Sequence, residues 1–204
     1  MRFVVGLLFV FFIIMATVAS VGIILPEQYL AQRSVELKQP PEELWNTLSD
    51  IESFPSWRSD LENVSRIEDQ YGNPVWQELD KRGQKVNIEV GASQPENARI
   101  LWHISAPEYK FYRDWLIEIQ ATADGNTVLT ISERGKVYNI IQRFFAHFFT
   151  GYTNVVDAYL MAIAQKFDET PAITDRLQKE DPFLSVKELL DIRQEKVRAA
   201  SGRA

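Results

Sequence analysis

Two histidines, a large set of carboxylates and no cysteine are the raw material for chemistry in this chain. His103 sits in Leu101-Trp102-His103-Ile104, on a strand pattern. His147 lies between Ala146 and Phe148, on a helix pattern. They fall in different elements far apart in sequence, so there is no histidine pair at metal-ligand spacing. Without cysteine there is no thiolate metal site and no thiol nucleophile. No glycine-rich phosphate loop is present either, so the expectation is no metal and no cofactor. The carboxylates are blandly placed. Glu42-Glu43 open a helix, Asp114 follows Arg113, and Glu133 precedes Arg134. Strand neighbours point to opposite faces, so only one of Glu133 and Arg134 faces an interior while the other serves a surface pair. No residue is assigned a catalytic role. The stronger signal is an aromatic wall. Trp76, Trp102, Trp115, Phe144, Phe148 and Tyr152, with Glu133 as a polar group, are the candidates to line a ligand cavity. The competing reading is that the aromatics fill a packed core.

The elements that position these residues follow from periodicity. Arg33 to Leu37 alternates as a strand with Val35 and Leu37 on one face. Pro40-Pro41-Glu42-Glu43 starts a helix, proline suiting the first turn and acids favouring the dipole. Asp50 is a candidate cap for a short helix through Ile51 to Phe54. Strand patterns follow at Val64–Glu68, Val75–Leu79, Val86–Val90, Ala98–Ser105, Asp114–Thr122 and Val128–Lys136, with turn signals at Tyr71-Gly72-Asn73 and Asp124-Gly125. The period then changes. Ile141, Phe145, Phe148, Tyr152, Val155, Tyr159 and Ala162 recur at three and four, predicting one long apolar helix over Ile140 to Asp168. The fold class is α+β, a curved antiparallel sheet gripping that helix.

Two segments flank this unit. Phe3 to Leu25 runs 23 residues without a charge, enough helix for the ~30 Å hydrocarbon core of a bilayer. The run is longer than a signal-peptide core and continues past any small-residue cleavage site near Ala16–Ser20. It is therefore read as an uncleaved transmembrane anchor, residues 1–25, with a juxtamembrane connector at 26–32. Arg2 and the α-amino group precede it and Glu27 is the first charge after it. The positive-inside rule then favours N-in topology with the soluble part extracytoplasmic, facing the periplasm or cell exterior. The domain proper spans 33–169. From Pro171 the last 34 residues carry 13 charges, seven basic and six acidic. In this tail, 170–204, Ser185-Val186-Lys187-Glu188 reads as a capping box, with Leu184 and Leu189 as its staple. A helix is expected from about Val186 to Ala200, either docked through Val186, Leu189, Leu190, Ile192 and Val197 or frayed in solvent. The net charge of −6, with no basic patch, argues against nucleic acid as a partner and against a polybasic headgroup platform.

Particular stretches resemble a known family. Arg33-Ser34-Val35 followed by Pro40-Pro41-Glu42-Glu43-Leu44-Trp45, and Phe54-Pro55-Ser56-Trp57, are similar to the opening of the START-like (SRPBCC) superfamily. Ser132-Glu133-Arg134-Gly135-Lys136-Val137-Tyr138-Asn139, running on into Arg143-Phe144-Phe145 and Phe149-Thr150-Gly151-Tyr152, then Tyr159-Leu160, resembles bacterial members of the polyketide cyclase/dehydrase and lipid-transport family. The resemblance covers roughly Arg33 to Glu169. It implies a helix-grip fold with a cavity between sheet and C-terminal helix, and it implies little about chemistry, since one fold hosts many functions.

Three functional expectations result. The first is a membrane-tethered binding module for a hydrophobic or lipid-like molecule, with the short helices around Asp50–Trp57 as a lid. The second is a cyclase- or hydrolase-type enzyme using the same cavity, which requires a titratable group inside it. The third is an envelope interaction protein with a packed core, recruiting a protein partner through the charged tail.

Overall fold

The computed structural model describes residues 2–106, 111–175 and 181–201. The chain opens with helix α1 (Arg2–Ile24), then strand β1 (Gln28–Leu37). Helix α2 (Pro41–Ser49) and a 3-10 turn (Ile51–Ser56) make a corner before strands β2 (Leu61–Gln70), β3 (Asn73–Asp80), β4 (Lys85–Gln94), β5 (Arg99–Ala106), β6 (Phe111–Ala121) and β7 (Thr127–Lys136). Helix α3 (Ile140–Phe145), a π-helical turn (Ala146–Thr150) and helix α4 (Asn154–Lys166) follow. The two-residue strand β8 (Thr174–Asp175), a 3-10 turn (Pro182–Val186) and helix α5 (Lys187–Ser201) complete it. Among the described residues the sheet is antiparallel throughout, in the order β2-β3-β4-β5-β6-β7-β1-β8. The expected α+β architecture is present.

The core lies between the concave sheet face and α4. Val156, Tyr159, Leu160, Ile163 and Ala164 form the buried stripe of α4, facing Val35, Leu37, Trp102, Trp115, Ile117, Leu129 and Ile131. Each large apolar side chain here adds about 1.5–3 kcal/mol by leaving water. Leu44, Leu48, Ile51 and Phe54 close one end. The Asp50 side chain makes no capping bond, and Ser53 Oγ donates to the Asp50 carbonyl instead.

Three sequence expectations are corrected. The single long helix is two. At Gly151 the backbone takes φ 70°, ψ 178°, and the π turn before it shifts the register. The stripe from Ile141 to Ala162 therefore does not face one way: Tyr159 is buried, whereas Ile141, Phe145, Phe148 and Val155 are exposed. The first strand begins at Gln28, inside the expected connector, and pairs with β7 from Gln28↔Lys136 to Leu37↔Thr127. The expected Ser185 capping box is not formed: Asp181 caps the 3-10 turn that leads into α5, its Oδ1 accepting from Phe183 N at 2.9 Å, while Ser185 Oγ donates to the Pro182 carbonyl at 2.7 Å. The Leu189 side chain and residues 176–180 lie outside the described residues.

The tail is docked rather than frayed. Phe183, Val186 and Leu190 bury against Leu101 and Leu116 on the convex face of the sheet. This explains why β5 is buried on both sides: Ile100, Trp102 and Ile104 face the core, while Leu101 lies under the tail.

Helix α1 is docked as well. A Cβ on Gly22 would overlap the Ile140 carbonyl, so glycine allows α1 and α3 to touch backbone to backbone. Arg143, 3% exposed, is the clasp. Its Nη1 donates to the carbonyls of Gly22 (3.1 Å) and Leu25 (3.0 Å), two orphan acceptors at the end of α1. Its Nε donates to Val137 O at 3.1 Å, and its Nη2 to Glu27 Oε1 at 3.1 Å.

Candidate functional site

The main cleft, about 1050 Å³, opens between α3, the start of α4 and strands β1, β6 and β7. Its floor is built by register. Glu133 on β7 stands opposite Trp115 on β6 and Ala31 on β1. Gly135, two residues on, stands opposite both Arg113 and Tyr29. A Cβ on Gly135 would overlap the Tyr29 ring. The missing side chain leaves room for a phenol from one neighbouring strand and a guanidinium from the other to lean over and reach Glu133.

Glu133 is wholly buried and well partnered. Its Oε1 accepts from the Tyr29 hydroxyl. Its Oε2 accepts from Trp115 Nε1 at 2.7 Å and from Arg113 Nη1 at 3.0 Å. Burial, and next the neighbouring Glu133 charge, push the Tyr29 phenol upward from its ordinary value, so it stays a donor at physiological pH. Tyr152, just past the Gly151 break, stacks on Tyr29 with centroids 4.4 Å apart and an 18° interplanar angle. Tyr112, Tyr138, Asn139, Gln142, Phe145 and Val155 form walls and rim. The cleft thus combines aromatic surface with a buried polar floor. A carboxylate offers about four lone-pair sites, and three of those on Glu133 already receive donors. Its charge is offset by Arg113. That arrangement suits orientation of a polar headgroup better than proton abstraction.

The sequence candidates are distributed as follows. Glu133 and Tyr152 are in the main cleft. Trp76 and Trp102 line a second cavity of about 200 Å³ with Leu48, Ser49, Ile51, Val90, Ser93 and Ile100. Trp115 touches the main site only through its Nε1. Its ring belongs to an aromatic plug with Trp102 (6.3 Å) and Tyr159 (5.1 Å), extended by Phe54 and Trp57. Beneath α4 the interior is therefore packed, and the larger space lies at the α3–α4 break. Phe144 and Phe148 line neither cavity. Their rings pack together at 5.0 Å, and Phe148 is 54% exposed. Sequence reasoning missed Tyr29, placed in a connector, and Arg113, whose partner it left open. The available signal was Gly135, a strand glycine marking a close approach.

Arg134 points to the convex face, as alternation requires. There Glu89, His103, Asp114 and Arg134 are paired across β4 to β7. His103 Nδ1 lies 2.6 Å from Asp114 Oδ1, and Arg134 Nη2 lies 3.3 Å from Asp114 Oδ2. Gly91 leaves space for the His103 ring. The tail completes this row. Arg193 Nη2 donates to Glu89 Oε2 at 2.7 Å, and Arg134 stacks on Phe183 at 4.3 Å. Although burial opposes ionisation, His103 and then Arg134 hold the Asp114 carboxyl below its ordinary 3.8. His103 thus belongs to a structural row remote from the cleft, and His147 sits exposed in the π turn. Among the described residues no cluster of three metal-ligating side chains occurs.

Comparison with known proteins agrees with this architecture. The profile of the family described as polyketide cyclase/dehydrase and lipid transport matches residues 30–166. Among solved structures, ZhuI aromatase/cyclase from a Streptomyces species superposes with TM-score 0.55 at 12% identity, covering 69% of this chain and 94% of that one. Norcoclaurine synthase from Thalictrum flavum gives 0.55 at 13%, covering 70% and 88%. A START superfamily protein from Mycobacterium smegmatis gives 0.51 at 14%, covering 68% and 97%. At such identities the likeness concerns the fold. No curated protein sequence matches the chain.

Proposed function

Since the chain belongs to the polyketide cyclase/dehydrase and lipid transport family, we propose that it is a membrane-tethered binding module for an amphipathic, lipid-like molecule. The observation that carries this reading is the position of the cleft. About 1050 Å³ of aromatic-walled space opens against α3, which Arg143 clasps to the end of α1, a helix whose Phe3–Ile24 stretch is long and apolar enough to cross a bilayer. The walls suit an apolar body, and the Glu133–Arg113–Tyr29 floor suits a polar headgroup with both donor and acceptor atoms. Arg2 ahead of α1 and Glu27 after it support an extracytoplasmic side for the domain. Full-length delipidated protein should take up a fluorescent fatty-acyl probe, and Arg113→Ala together with Tyr152→Ala should weaken uptake at least tenfold, ~1.4 kcal/mol. Protein that binds no apolar probe and carries no co-purified lipid by mass spectrometry overturns the reading.

One observation favours a second reading, a cyclase-type enzyme. A carboxylate and a protonated phenol meet at the cleft floor, the pair of groups acid–base chemistry would draw on. Turnover of a polyketone probe that disappears in both Glu133→Gln and Tyr29→Phe, while probe binding persists, would establish it over carriage. The tail supports a third reading less, because Phe183, Val186 and Leu190 are occupied by the chain's own sheet.

A further inference from the structure

From Ile140 to Val156 the sequence has no carboxylate, and its one arginine, Arg143, is buried as the clasp on α1. The outward side of the same stretch is aromatic. Phe145, Phe148 and Phe149 are 47%, 54% and 71% exposed, and Phe144 packs beneath them at 5.7, 5.0 and 6.1 Å. Three neighbouring exposed phenylalanines are an unusual load for a surface facing water. Their place explains them. The turn continues α3, which rests on Gly22 and is bonded to the Gly22 and Leu25 carbonyls. The aromatic face therefore lies beside the last turns of α1, where Val18 and Gly22 are covered while Ile23 and Ile24 remain exposed apolar surface. If α1 fills the hydrocarbon core, its last turn lies at the interface. Elements fixed to that turn share its depth, where aromatic side chains are favoured.

We propose that the Phe145–Phe149 turn is a second membrane-contact element. It lies in the leaflet where α1 ends, with Phe145, Phe148 and Phe149 at the boundary of headgroups and acyl chains, and it holds the cleft mouth at the headgroup layer. This rests on the reading of α1 as a span. It goes beyond that reading by giving the domain a fixed depth and a lipid-facing side.

The natural absence of cysteine makes unique labelling simple. Full-length protein in phosphatidylcholine/phosphatidylglycerol vesicles would carry an environment-sensitive fluorophore at one introduced cysteine: Ile13→Cys, Phe149→Cys, or Asp124→Cys in the distal β6–β7 turn. Doxyl lipids with quenchers at shallow and deep positions report depth, and iodide reports water. The proposal expects the label at 149 to lose roughly half its emission to shallow quenchers, as burial of about 5–10 Å would give, and to resist iodide. The label at 13 should be quenched by deep lipid and that at 124 by iodide alone. Deep quenching at 13 with iodide quenching at 149 overturns the proposal and leaves the span intact. Shallow quenching at 149 with an aqueous label at 13 supports membrane contact by the turn and removes the span. Protection from both quenchers at 149 means a second copy covers the face, which overturns the proposal.

Discussion

Glu133 gathers a phenol, an indole and a guanidinium from two flanking strands, with Gly135 as the gap that lets them approach. Removing one member of such a set leaves the others buried without partners. Glu133→Ala should therefore destabilise the fold by about 3–5 kcal/mol, read by chemical denaturation. Tyr29→Phe, which leaves Glu133 with two donors, should cost only ~1–2 kcal/mol. Asp114 offers a test through pH. Its folded-state carboxyl lies below 3.8, so its contribution to stability is fully present above that pH. It is lost as pH falls through the lower folded value. The stability difference between the protein and Asp114→Asn should shrink as pH falls below about 4. A difference that stays undiminished well below that pH would remove Asp114 as an ionic partner of the convex-face row.

At the scale of elements, the strands were legible in the sequence because apolar residues recur at period two on the core face: Val35 and Leu37, or Trp115, Ile117 and Ile119, lie inward as their spacing demands. The helix break at Gly151 was not legible, because the apolar period continues across it while the backbone does not. The cleft was half legible. Glu133 was visible as a charge that must choose a face. Its partnership with Tyr29 depends on register between β1 and β7, which sequence spacing does not carry. Tail docking had a signal that alternation alone passed over. Ile100-Leu101-Trp102-His103-Ile104 has apolar residues on both faces, and a strand buried on both faces needs cover on both. Phe183 supplies much of that cover. Phe183→Ala should release α5, costing about 3–5 kcal/mol of docking. Hydrogen exchange should then show lost protection over Lys187–Ser201 while α4 keeps its own.

Across the whole molecule, α1 and the sheet domain are joined by a clasp rather than a free tether, through Gly22 against Ile140 and Arg143 on the end of α1. Arg143→Ala should leave the sheet domain folded yet loosen this joint. Spin labels at introduced cysteines 10 and 124 should give a narrow distance distribution in the parent and a markedly broader one in the variant. An unchanged distribution would mean that the α1–α3 backbone contact suffices alone. The clasp has a consequence for traffic. A domain on a flexible tether samples a hemisphere and can present its cargo to a facing membrane or a distant enzyme. On the proposed reading of α1 as a span, a domain locked to the last turn of that helix has one heading. Any molecule held in the cleft would enter and leave beside the same patch of lipid. Onward movement would then depend on an acceptor that comes to that patch, so this protein would work as a fixed berth, not a ferry.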